Sequence, residues 1–139
     1  MNSLILGAIR AGWRIAIADP GSVPAGIYAR DALQSMELWE RVRPLLVNLQ
    51  NVRSVVAYIE HGETPIGFVY DTDVRIARHM HRVATFDATT YEPIEYVGAV
   101  PVNAPSPDAA KAFLGFINSA EGQSIIASYG FVPHEVAAQ

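Results

Sequence analysis

The feature that most constrains this chain is a short apolar run that halts at a turn and reopens as an amphipathic helix, a unit met three times in the first eighty residues. Residues 14–18 (RIAIA) read as a strand that stops at Asp19-Pro20-Gly21-Ser22, a turn cluster leading through Pro24 into a helical pattern. On that helix Tyr28, Ala29, Ala32, Leu33 and Met36 share one side, while Arg30, Asp31, Gln34 and Ser35 share the other. Residues 45–49 form the second strand, and Asn51 then caps a helix whose Val52, Val55, Val56 and Ile59 recur at i, i+3, i+4 and i+7 before Gly62 ends it. The third strand, residues 66–70, stops at Asp71-Thr72-Asp73; residues 74–79 then read as a short helix and residues 82–86 as a further strand. Strands separated by helices of this length imply parallel pairing with right-handed crossovers. The expected class is therefore α/β, with a mixed, largely parallel sheet flanked by helices.

The rest of the chain changes character. Residues 87–93 read as a polar loop and residues 94–102 as a longer β segment closed by proline-rich punctuation. Ser106-Pro107-Asp108 starts a helix with a capping hydroxyl, proline at the first position and an acid in the first turn, and Phe113, Leu114 and Ile117 are its expected buried side. Ser119 caps a last helix carrying Ile125, Ile126 and Tyr129, with Gly130 placed as its stop. Residues 3–9 look like a short signal core, but they lack a basic flank and a cleavage motif, so a folded helix is expected there and no signal peptide in the chain as read.

Charge and composition then exclude several functions. The 139 residues, half of them apolar, suit one core or one lobe of something larger. A net charge of −4 argues against a sequence-independent grip on nucleic acid. All nine arginines lie in residues 1–82 against eight acids, leaving the remainder with Lys111 against six acids. With no cysteine there is neither a thiolate nucleophile nor a thiolate metal site. The longest apolar runs fall far short of the roughly 20 residues a membrane helix needs.

Chemistry is expected beyond the carboxyl ends of the strands, where open α/β sheets bind ligands. Pro24 has no N–H, so the earliest donors of its helix are the amides of Ala25 and Gly26. At the second junction Asn51 can cap its helix while the Val52 amide points outward, and Tyr70 at the third strand's end adds a hydroxyl. Helix N-termini carry orphan donors and partial positive charge, so an oxyanion is the natural guest, although an ordinary capped N-terminus holds only water.

Asp19-Pro-Gly-Ser-Val-Pro-Ala-Gly-Ile-Tyr-Ala-Arg30, Asn51-Val-Arg53, Pro65-Ile-Gly-Phe-Val-Tyr70 and Tyr129-Gly-Phe131 together resemble the periplasmic molybdate-binding proteins of ABC importers. The likeness runs from about Arg14 to Val132, and DPxxVPAGxYA is its specific part. It implies a lobe of the periplasmic-binding-protein type with C-terminal helices, residues 1–97 forming the ligand-binding lobe and residues 98–139 a crossing strand and helices that return toward another lobe. It also implies that the backbone N–H groups of Ala25 and Val52 and the hydroxyl of Tyr70 hold molybdate or tungstate, with Gly26 and Arg53 in support. Further implications are an ABC permease as partner, an extracytoplasmic location, no catalysis, no cofactor, and molybdenum present only as oxyanion rather than at a cation site. In such proteins an N-terminal lobe adds two serine-containing donor sites. Its sequence would precede anything present here, so about half a site is expected, and the unpaired segment 94–102 suggests a homodimer. The alternative reading is an orphan lobe acting as a protein-interaction or assembly module.

A ligand held by donors alone must be fully deprotonated, which favours molybdate, tungstate or sulfate over hydrogen phosphate. Asp71, beside Tyr70, is the carboxylate that could accept a ligand proton; otherwise it is a turn residue. Arg53 could neutralise charge near the site or stand solvated at the surface. His79 and His81, among Arg75, Arg78 and Arg82, read as a solvated edge, and Asp71 with Asp73 does not make a calcium loop. Nucleotide fingerprints and a nucleophile elbow are missing from the sequence.

Overall fold

The computed structural model describes residues 1–133. It divides into two units, Met1–Pro93 and a second beginning at Ile94, where the sequence reading places the boundary at 97. The final residues of that second segment, 134–139, lie outside the described residues.

The first unit contains helix α1 (Asn2–Ala11), strand β1 (Ile15–Ala18), α2 (Pro24–Ser35), α3 (Trp39–Val42), a 3-10 turn (Arg43–Leu45), β2 (Leu46–Leu49), α4 (Val52–Glu60), β3 (Ile66–Gly67) and α5 (Asp71–Ile76). The strands form one sheet of order β2-β1-β3 with both pairings parallel, Ile15 standing opposite Leu46 on one side and Ile66 on the other. Parallel neighbours need a crossover element, which α2 and α4 supply. All four residues of β1 are buried, as a central strand covered on both faces requires. Its side chains alternate between two apolar clusters. Ile15 joins Ile5 and Ala8 of α1, Leu33 of α2 and Val42 of α3, whereas Ala16 and Ala18 face Ala25 and Val55.

Small residues set the distances on that second face. A Cβ on Gly26 would lie 2.1 Å from the Ala18 carbonyl oxygen, so the first turn of α2 rests directly on the end of β1. A Cβ on Gly67 would meet the Ala16 carbonyl and Ile59 Cδ1, both at 2.8 Å. The helix expected over residues 3–9 forms as α1, and Gly62, at φ 76°, follows the end of α4 as read.

Four expectations need correction. The third strand is only Ile66–Gly67, and α5 starts at Asp71, because Asp71-Thr72-Asp73 forms the acid-rich first turn of a helix rather than a separate turn. Residues 82–86 form no strand: Arg82 is drawn to Asp71 by an ion pair of 2.7 Å, and Phe86 is anchored by its ring against Phe68 with centroids 5.4 Å apart, so side chains and not a ladder hold the segment. Residues 94–102 likewise pair with no strand among the described residues. The fourth concerns the second unit, whose helices are α6 (Pro107–Ile117) and α7 (Ala120–Ser128). Ser106 makes no side-chain cap, and Phe113 is exposed instead of buried, with Leu114 and Ile117 half-buried.

The turn between α6 and α7 is specified closely. Ser119 Oγ accepts the Gly122 N–H at 3.2 Å and donates to the Phe116 carbonyl at 2.7 Å. Gly130, at φ 97°, terminates the chain of turns after α7 as the sequence suggests.

Two predictions follow from these contacts. Gly26→Ala drives a methyl into the Ala18 carbonyl and should cost about 1–3 kcal/mol, read as a lower denaturation midpoint with unchanged slope; full stability would show that α2 can move off β1 freely. Glu60, at the end of α4, accepts the N–H of Arg78 at 2.6 Å and of His79 at 3.1 Å. These bonds, Arg78's foremost, hold its carboxyl below the usual range. A depressed carboxylate contributes stability above its ordinary pKa and loses it as pH falls through the folded value. Glu60→Gln should therefore melt lower than the parent at neutral pH, with the gap closing in acid; a gap independent of pH would refute this account.

Candidate functional site

Because the three strands run parallel, their carboxyl ends and the junctions after them emerge on one edge of the sheet. The ladder continues briefly past the strands there: Asp19 N–H donates to Leu49 O at 2.8 Å and Phe68 N–H to Ala16 O at 3.0 Å.

At the first junction the Asp19 carboxylate accepts the Ser22 hydroxyl at 2.6 Å and the Gly21 N–H at 3.0 Å, bonds that hold its pKa below the ordinary value. Arg30, further along α2, reaches back to donate to the Pro20 carbonyl at 2.9 Å while pairing with Asp31 at 2.9 Å. The loop is thus held from both ends. Val23 is the N-cap and Pro24 the first helical residue. The Val23 carbonyl then takes the N–H groups of Gly26 and Ile27, each at 2.9 Å. Of the two amides that the sequence offers as donors, Gly26 is therefore already committed, and its role is the close approach to β1. The Ala25 N–H has no acceptor among the described residues.

Asn51 caps α4 as the sequence suggests. Its Oδ1 accepts the Ser54 N–H at 2.9 Å and the Ser54 hydroxyl at 3.1 Å, and its carbonyl takes Val55 N–H at 3.3 Å. The amides of Val52 and Arg53 are left outside this pattern, with no acceptor among the described residues.

Tyr70 stands beyond the end of β3 as the N-cap of α5, in extended backbone at φ −76° and ψ 156°. Its N–H donates to Asp73 Oδ2 at 3.0 Å, and its carbonyl receives the N–H of Asp73 at 3.1 Å. Asp73, weighed from the sequence only with Asp71 as a cation site, makes a capping contact that sequence reasoning passed over. The signal was an acid three positions after the residue preceding a helix, the spacing of a capping box. Burial raises its pKa, against which the Tyr70 N–H and the positive charge of Arg53 act to lower it.

The apolar cluster of Ala16, Ala18, Ala25 and Val55 gathers these junctions, since Val52, Val69 and Tyr70 pack against it. Ala25, Val52 and Tyr70 therefore surround one patch at the carboxyl edge. Arg53 is exposed but close enough to Asp73 to influence its charge. Asp71 is occupied elsewhere, pairing with Arg82 at 2.7 Å and Arg75 at 3.3 Å. His79 and His81 are exposed.

Comparison with known proteins gives a consistent family. Residues 6–132 match the model of the bacterial extracellular solute-binding proteins. The molybdate-binding protein ModA of Escherichia coli (strain K12) is 37% identical over 120 residues, covering 86% of this chain and 46% of that protein. A solved substrate-binding domain of a putative molybdenum ABC transporter from Clostridium difficile superposes with a TM-score of 0.78 at 34% identity, covering 88% of this chain and 53% of that one. The periplasmic molybdate-binding protein of Azotobacter vinelandii shares the fold, with a TM-score of 0.72 at 22% identity over 89% of this chain and 56% of its own. The chain spans about half the length of the relatives it matches. It belongs to the bacterial extracellular solute-binding protein family.

Proposed function

We propose that this member of the family contributes one wall of an oxyanion-binding cleft in the substrate-capture component of an ABC importer, with molybdate or tungstate as the ligand. The observation that carries the reading is the pair of helix N-terminal amides, Ala25 and Val52, whose N–H groups donate to no acceptor among the described residues, while both residues lie with Tyr70 at one apolar cluster. Backbone N–H groups at helix N-termini are suited to a tetrahedral dianion, because they supply partial positive charge in fixed directions without a counter-proton. The Tyr70 hydroxyl is the third donor, a role supported by the resemblance, and Arg53 supplies charge nearby. The permease partner and an extracytoplasmic location are supported by the ABC-importer relatives and the family description. No reaction is assigned: the family is one of solute binding.

The ligand is proposed to be fully deprotonated. Asp71, the carboxylate that could have accepted a ligand proton, has both oxygens engaged by arginines. Molybdate, tungstate and sulfate should therefore be preferred over hydrogen phosphate.

A second reading, an interaction or assembly module, draws on the second unit. There Val97, Val102, Phe113 and Tyr129 are each more than half exposed. Edge pairing through residues 94–102 has no strand to work with, so association would run through these side chains. Sedimentation over a range of concentrations should show a dimer that dissociates on dilution, and Phe113→Ser should weaken it. A monomer at every concentration removes this reading.

Amide NMR titration with sodium molybdate, sulfate and phosphate tests the first reading directly. Molybdate should shift the Ala25 and Val52 amides first. Tyr70→Phe should weaken binding by about 1.5–3 kcal/mol, as for a hydrogen bond to a charged group, and Ala25→Pro should do similar damage by deleting a donor. Unchanged affinity in both variants, or shifts centred away from these amides, would overturn the assignment.

A further inference from the structure

Tyr70 lies where the sheet no longer controls the backbone. The register of β1 and β3 ends with Ala16 opposite Gly67, and the last ladder bond is that from Phe68 N–H to Ala16 O. Two residues later the direction of Tyr70 must be set by something other than strand pairing. Tyr70 still packs against the cluster that holds Ala25 and on which Val52 also packs, so a rotation of its backbone would move the phenol relative to both amides.

The contact that replaces the ladder is a closed ring. Asp73 Oδ2 accepts the Tyr70 N–H at 3.0 Å, while the Tyr70 carbonyl accepts the N–H groups of Asp73 at 3.1 Å and Val74 at 3.3 Å. These bonds secure both peptide groups flanking the Tyr70 Cα, and with them the direction of its Cα–Cβ bond. The helix they start has only six residues, so it is too short to hold its first turn by its own ladder and depends on this cap. Asp73 is half-buried and also feels Arg53, which stands one residue after Val52 in α4. The carboxylate thus links the second junction to the third.

We propose that Asp73 is the positioning residue of the oxyanion site: it touches no ligand, and by holding the Tyr70 backbone it fixes the origin of the phenol opposite the Ala25 and Val52 amides. This rests on the site reading above. It has a specific consequence, because a residue that acts only through the tyrosine hydroxyl has nothing left to position once that hydroxyl is gone.

The experiment is a double-mutant cycle on the full chain, titrated with sodium molybdate and followed by amide NMR, with thermal unfolding of each variant recorded in the absence of ligand. Asp73→Ala should weaken binding about tenfold, whereas Asp73→Asn, which keeps an oxygen for the Tyr70 N–H, should stay within about threefold of the parent. In the Tyr70→Phe background, Asp73→Ala should change affinity by less than about twofold. Parent-like binding by Asp73→Ala, or a full loss repeated on top of Tyr70→Phe, overturns the positioning role while leaving the site in place. Tyr70→Phe binding like the parent, or no binding by the parent itself, overturns the site reading and the positioning role with it. If Asp73→Ala fails to fold, Asp73→Asn decides alone: retention supports the proposal, and a loss equal to that of Tyr70→Phe rejects it.

Discussion

The seating of α2 on the end of β1 governs most of what the carboxyl edge can do. Gly26 has no Cβ, and a methyl there would stand 2.1 Å from the Ala18 carbonyl oxygen, so the helix can begin only because that position is bare. Pro24 sets the first turn without needing an acceptor, and the Val23 carbonyl then collects the N–H groups of Gly26 and Ile27. What remains without an acceptor among the described residues is the amide of Ala25. The alanines of β1 serve the same end on the strand side, since larger residues at positions 16 and 18 would push Val55 and the α4 junction away from Ala25.

Local hydrogen bonding, more than apolar burial, then fixes the loops. The turn at residues 19–22 buries little, yet it is tied by the Asp19 carboxylate to Gly21 and Ser22 and by Arg30 to the Pro20 carbonyl. Asn51 does the same for α4, and Asp73 for α5. Each junction thus uses a short polar side chain to absorb some of the donors that a helix start exposes. The absorbed donors define the geometry, and on the proposed reading the unabsorbed ones supply the chemistry.

How much of this was legible depended on whether local pattern and tertiary partner agreed. β1 and the starts of α2 and α4 were readable because turn residues, Pro24 and the Asn51 cap act within a few positions of themselves. Ala25 and Val52 could be singled out for the same reason. The commitment of Gly26 could not, since it depends on the Val23 carbonyl turning inward. Residues 82–86 and 94–102 carry the apolar content of strands, but a strand exists only with a neighbour, and the pattern is silent on whether one is in register. Tyr70 was singled out through its family motif and a strand that proved three residues shorter at its carboxyl end, so the start of α5 and the capping contact of Asp73 went unseen. Phe113 reads as core from its spacing on α6, while its exposure reflects packing that spacing does not encode.

If the chain holds an anion as proposed, the balance of charge explains how one of net charge −4 can do so. Its cations near the carboxyl edge are largely engaged, Arg30 with Asp31 and the Pro20 carbonyl, and Arg75 and Arg82 with Asp71, while the exposed Arg53 acts on Asp73 through its charge. On the proposed reading the dianion is therefore held mainly by oriented N–H dipoles and a hydroxyl, not by a mobile arginine. Long side chains would have to be ordered on binding, at a cost in rotamer entropy, whereas amides fixed at a helix start have already lost that freedom when the chain folds. A site of this kind recognises shape and protonation state more than charge alone, because donors in fixed directions cannot swing round to suit an oxygen that carries a proton. Net negative charge elsewhere then discourages loosely held anions from competing, without weakening the few short-range bonds that identify the right one.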